Sequence, residues 1–148
     1  MTDNAHGLVV DVEITAFSGT AEREAAEVML QRRRRRRRRG PVGADRGGYD
    51  SEAFVTACRA LGMTPHVAQK RKGSAIDRRT TRHECYRGSQ RARKRIEEVF
   101  GWLKTVGGLR KTRLIGRARL AGQMLLATAT YNLIRLGTLG GWWQGSHV

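Results

Sequence analysis

Ile96, Val99, Phe100 and Leu103 stand at i, i+3, i+4 and i+7. Only a helix turns that spacing into one apolar face. At roughly 100° per residue the four fall within an arc of about 100°. The stretch Arg91 to Thr105 is therefore expected to be a helix packed on a core. Glu97 falls beside the apolar stripe, nearly in line with Arg93 before it and Lys104 after it. Glu98 points to the opposite side, into solvent. Glu97 is thus expected at the edge of the core, between two cations, where a carboxylate can be held rigidly.

The chain has 148 residues and a formal net charge of +16. Its length suits one domain with a core of useful size. A run of eight arginines, Arg32 to Arg39, supplies half of that charge, and the remainder is still basic. A basic excess of this kind favours a polyanionic partner, of which nucleic acid is the commonest. A merely solvated basic surface is the alternative. The two cysteines, Cys58 and Cys85, form neither a paired metal motif nor a secreted disulfide framework. The polar start is unlike a signal peptide. The apolar stretch Leu120 to Leu136 is interrupted by Gln123, Asn132 and Arg135, which excludes a membrane span there. A cytoplasmic protein without a membrane partner is expected.

Residues 8 to 17 alternate apolar and polar and predict a half-buried strand. Thr20, with Glu22 and Glu24 behind it, marks the start of a helix reaching about Leu30. The arginine run should repel itself out of any packed element. It reads either as a phosphate-binding arm or as a low-complexity insertion without a site. A short apolar piece, Val42 to Ala44, leads to Asp45 and a glycine-rich turn. Asp50 or Ser51 then caps a helix with the face Phe54, Val55, Cys58 and Leu61, ended by Gly62. Residues 64 to 68 predict a strand. Strand, helix, strand, helix, strand is an α/β order. Residues 69 to 92, rich in Lys and Arg with Gly73 and Gly88 as breakers, predict a flexible basic loop. A closing helix from about Arg117 to Leu136 has Leu120, Met124, Thr128, Tyr131 and Arg135 on one face. Residues 137 to 148 predict a flexible tail.

A carboxylate at the end of a short buried strand is well placed to hold a metal, and Asp45 fits that description. Carboxylates converging from different elements hold Mg²⁺, which takes oxygen ligands and leaves room for substrate phosphates. Asp45 and Glu97 can form such a set. From spacing alone, a structural ion pair from Glu97 to Arg93 or Lys104 serves as well. The four histidines are scattered, and His66 reads as structural.

Several stretches resemble bacterial insertion-sequence transposases of the DDE type: GLVVDVEIT with GTAEREAA, GAD followed by GYD, TPHVAQ, GSAIDRRTTRH, RKRIEEVFGWLKT, GLRKTR and ATATYNLIRL. They follow the family's order over most of residues 7 to 136. The resemblance implies an α/β, RNase H-like catalytic core, Mg²⁺ as cofactor, and DNA, the inverted-repeat ends of an element, as partner. It is compatible with a homo-oligomer. Asp45 resembles the second of the family's three acids and Glu97 the third. Both are thereby implied as catalytic residues and metal ligands. Arg93 and Lys104 match the flanking basic positions and are implied as DNA-binding residues. Gln90 stands where the family has a tyrosine.

The family's first catalytic Asp lies upstream of sequence like GLVVDV and has no counterpart here. The expectation is a partial RNase H-like core at residues 1 to 136, with N-terminal strands missing: a truncated catalytic domain, inactive alone. The alternative is a non-catalytic, basic nucleic-acid-binding protein.

Overall fold

The computed structural model describes residues 1–36 and 40–142. Arg37 to Arg39 of the arginine run and residues 143–148 of the tail lie outside the described residues. The chain divides into two compact units, Thr15–Lys94 and Met1–Ile14 with Arg95–Val148.

The first unit holds α1 (Ala21–Arg35), β1 (Pro41–Ala44), α2 (Glu52–Ala60), β2 (Thr64–Val67), α3 (Arg78–Thr81) and α4 (Glu84–Ala92). The strands pair in parallel, from Pro41 opposite Thr64 to Ala44 opposite Val67. Parallel neighbours need a crossover, and α2 provides it. Ser51 caps α2 by accepting from the Phe54 N–H. Phe54, Val55 and Cys58 are buried along the expected face, and burial pushes the Cys58 thiol up to about 11. Leu30, Met63, Val67 and Ile76 complete this core. Pro41 opens its strand, where a missing N–H is tolerated.

Three expectations fail in this unit. The arginine run is not wholly outside packed structure: Arg32 to Arg35 continue α1. Arginine is a good helix former, and cations at a helix C-terminus suit its dipole, so the like-charge repulsion of neighbouring turns is outweighed. Arg34 also donates a 2.8 Å hydrogen bond to the Ala60 carbonyl at the end of α2. Residues 69 to 92 are not one loop, because they contain α3 and α4. Asp77 caps α3, accepting from the Thr80 N–H at 3.0 Å and the Thr80 hydroxyl at 2.9 Å. Gly88, expected as a breaker, lies inside α4.

The second unit contains α5 (Lys94–Thr105) from Arg95 onward, α6 (Arg117–Leu139) and the N-terminal segment. Val99, Leu103 and Ala127 are its buried centre, with Val9, Trp102, Leu109, Met124 and Tyr131 packed around them. The Trp102 and Tyr131 rings meet edge to face at 5.5 Å. Thr128 is buried, and Leu120, Met124, Tyr131 and Arg135 are half-buried, so the expected face of the closing helix is the covered one. Phe100, expected in the apolar stripe of α5, is exposed, and Trp102 takes its place in the packing. α5 ends tightly: the Leu109 N–H reaches the Leu103 carbonyl at 3.0 Å, and a Cβ on Gly107 would stand 2.8 Å from that same oxygen.

The expected strand at residues 8 to 17 does not form. Only an isolated antiparallel bridge, Thr2 with Val9, occurs there. The amide of Asn132 satisfies both backbone groups of Val9, at 2.8 Å each, in place of a neighbouring strand. At the other end, Gly137 to Leu139 belong to α6 rather than to a loose tail.

Candidate functional site

Asp45 directly follows β1. The Ala68 N–H bonds the Ala44 carbonyl at 3.0 Å, so the pairing holds the chain up to the residue before the acid. The C-terminal ends of parallel strands are where α/β folds place ligand-binding groups. The Asp45 side chain is 63% exposed. Its Oδ1 accepts a 2.7 Å hydrogen bond from the Arg46 N–H and a second from the Arg93 guanidinium.

Arg93 follows α4, and α4 is fixed to the strands by a chain of polar contacts. The buried His66 ring on β2 meets the Ser89 hydroxyl through Nδ1 at 2.7 Å. The Gln90 amide donates to the His66 carbonyl at 2.6 Å, and the Tyr86 hydroxyl donates to the Val67 carbonyl at 2.9 Å. Burial, and secondarily the neighbouring His83, lower the pKa of His66. The ring therefore stays neutral at pH 7. Gly43 of β1 faces α4, where a Cβ would make ordinary contact with the Ser89 carbonyl at 3.6 Å. Arg93 is thus delivered to Asp45 by packed secondary structure. Its own Nε is buried without a hydrogen-bond partner. Exposed ion pairs are worth about 0–1 kcal/mol, and an unsatisfied buried donor costs about 1 kcal/mol or more. The pair therefore holds Arg93 only loosely.

Five residues beyond Asp45, Asp50 is buried. It accepts from the Lys70 N–H at 2.7 Å, the Ala75 N–H at 2.8 Å and the Ser74 hydroxyl at 3.1 Å. Burial opposes its ionisation, but these hydrogen bonds outweigh it and hold the carboxyl below the usual range. Asp50 ties the basic segment 70–75 to the turn that carries Asp45. Tyr49 fixes the same turn to α1 through a 3.0 Å hydrogen bond to the Glu22 carboxylate.

Glu97 and Lys104 lie on α5, two turns apart and both exposed. Glu97 is therefore not set into a core edge, because Trp102 rather than Phe100 turns inward and rotates the packed face away from it. Glu97 has no ion-pair partner among the described residues. The ion pair expected from spacing is made by Arg93 to Asp45 instead. Of the four sequence candidates, then, Asp45 and Arg93 meet within the first unit, while Glu97 and Lys104 belong to the second.

The sequence reading missed Asp50 as a clamp, and Ser89 and Gln90 as supports of α4. Asp50 carried a visible signal, since it stands in GYDS beside the cap of α2, but its partners lie 20 to 25 residues downstream. Among the described residues no group of three or more His, Cys, Asp or Glu side chains is arranged to hold a metal ion. With Asp45 occupied by Arg93, the residues as arranged do not fit a divalent ion. No helix among the described residues is long and apolar enough to cross a membrane.

A strand-end acid on a parallel βαβ unit, carried by a chain this basic, suits a protein that meets phosphate-bearing polyanions. A family model, the transposase DDE domain, matches residues 1–133. The chain belongs to that family. Its members have RNase H-like folds, use divalent metal ions and act on DNA; the parallel strands and packed helices here are of the matching α/β class. Neither the curated proteins nor the solved structures gave a match.

Proposed function

We propose that this chain is a part of an insertion-sequence transposase that contributes two of the three acids for DNA cleavage and strand transfer. The reading takes Asp45 and Glu97 as metal-coordinating carboxylates, with Mg²⁺ as the ion, while the arrangement seen here, with Arg93 on Asp45, does not fit one. Arg93 and Lys104 contact DNA near the reacting end, and inverted-repeat ends are the substrate. The observation that carries it is the position of Asp45 at the end of β1, in a chain matched by the family over residues 1–133. What the chain's own residues supply is the strand-end acid, the cations that face phosphate, and the packing that holds them. The reading assigns none of the 148 residues to the first acid, and it expects these residues tested alone not to cut or join DNA.

A second reading, a non-catalytic nucleic-acid-binding protein, is favoured by one observation: Asp45 is neutralised by Arg93. Binding of an inverted-repeat duplex and of an unrelated duplex, each across a salt series, separates the two. The transposase reading expects a preference for the inverted repeat, with Lys104→Gln weakening binding and reducing the salt slope by about 0.9 per lost phosphate contact. Equal affinity for both duplexes, unaffected by Lys104→Gln, would favour the second reading.

A further inference from the structure

We propose that Leu114 and Ile115, in the loop between α5 and α6, form an apolar wedge that enters a base-pair step of duplex DNA. This rests on the reading of DNA as the partner and adds how the chain deforms it. Three features of the loop carry the proposal. Ile115 is 84% exposed and Leu114 43%, so two adjacent branched side chains meet water. Around them in the chain stand Arg110, Lys111, Arg113, Arg117 and Arg119, all exposed and without an ion-pair partner among the described residues. No Asp or Glu occurs from Val99 to Val148, so no neighbouring acid in the sequence offsets these charges. The loop is also fastened. Leu109 packs against the buried centre of the second unit. The Thr112 hydroxyl donates to the Gln123 side chain on α6 at 2.8 Å and accepts from the Leu114 N–H at 3.1 Å. Leu114 and Ile115 are therefore displayed from an anchored base.

A partner that answers this surface is anionic outside and apolar within a side chain's reach. A duplex is both: its phosphates attract the cations, and a base step accepts Leu or Ile when it unstacks. An anionic lipid surface also offers charge over apolar depth. The duplex is favoured because the chain belongs to a family that acts on DNA. Unstacking a step costs energy, and least where pairing is already weak. Burying side chains that now meet water offsets that cost. The cations add affinity that is indifferent to sequence. The preference for a weakened step therefore falls to Ile115 and Leu114.

The test is binding of the full chain to a short duplex with one central mismatch, and to its fully paired counterpart. Each carries, at the centre, a fluorescent adenine analogue that brightens when unstacked. The wild type is expected to brighten the analogue and to prefer the mismatched duplex about tenfold. Ile115→Ala should lose the brightening and most of the preference while keeping the salt slope, since no phosphate contact is removed. Arg113→Gln should do the reverse, reducing the salt slope by about 0.9 and keeping the brightening at saturation. Ile115→Phe, which keeps an apolar wedge, should keep the brightening, and it separates loss of the wedge from loss of the fold. DNA binding without brightening, or brightening unchanged in the double variant Leu114→Ala, Ile115→Ala, would overturn the wedge and leave DNA as the partner. No binding to either duplex would overturn both. Binding to phosphatidylserine vesicles that depends on Ile115, with DNA binding indifferent to it, would overturn the wedge and assign the loop to a lipid surface.

Discussion

The carboxylate of Asp50 accepts a 2.7 Å hydrogen bond from the backbone N–H of Lys70, twenty residues further along the chain. With Ser74 and Ala75 as further donors, one side chain orders the start of the basic segment. Removing it strands two backbone donors and a hydroxyl. Asp50→Ala is expected to destabilise the protein by about 3 kcal/mol, and Asp50→Asn by less, because an amide keeps one acceptor. Denaturant midpoints measure both.

The same residue sets an acid limit. Its folded pKa lies below the ordinary 3.8, so its contribution is complete above that value and is lost as pH falls through the lower folded one. Stability measured between pH 5 and pH 2 should fall less steeply in Asp50→Asn than in the wild type. Equal slopes would remove Asp50 from the account.

His66 acts in a different window. Its folded pKa is depressed below the ordinary 6.5, so the unfolded chain takes up a proton first as pH falls. Stability from the neutral ring is present above pH 6.5 and declines below it. His66→Gln should be less stable at pH 8 but show a flatter profile between pH 7 and pH 5. Ser89→Ala, which leaves Nδ1 without its partner, should cost about 1 kcal/mol at pH 8.

Asn132 serves the second unit as Asp50 serves the first. Its amide grips both backbone groups of Val9. Asn132→Ala is expected to cost about 2 kcal/mol and to release the Val9 amide to rapid hydrogen exchange. Asn132→Asp, which keeps the acceptor but not the donor, should restore protection of that amide in part.

What could be read from the sequence followed how local the determining forces were. The α2 face and the covered stripe of α6 were legible because periodic apolar residues dictate them. Asp45 at a strand end was legible from the breakers, since β1 is short and bounded by Gly40-Pro41 and the glycine turn, but the strand expected to be buried is exposed or half-buried along its length. The helical arginines were not, because charge repulsion was weighed without the helix dipole and the continuing ladder of α1. The segment from 8 to 17 carried a strand's pattern, but a pattern does not supply a neighbour, and the amide of Asn132 took the place of one. Glu97 turned outward because the indole of Trp102, half a turn from Phe100, won the contact with Tyr131. The pair between Arg93 and Asp45 spans 48 residues, and no local rule reaches that far.

We expect the 148 residues tested alone to bind DNA without joining it, with Asp45 and Glu97 proposed as two acids of a DNA transposase. A strand-transfer assay on inverted-repeat DNA with Mg²⁺, run on the wild type, Asp45→Asn and Glu97→Gln, tests this most directly. The expected result is salt-dependent DNA binding without cutting or joining by any of the three. Robust joining by the wild type, abolished in Glu97→Gln, would contradict it.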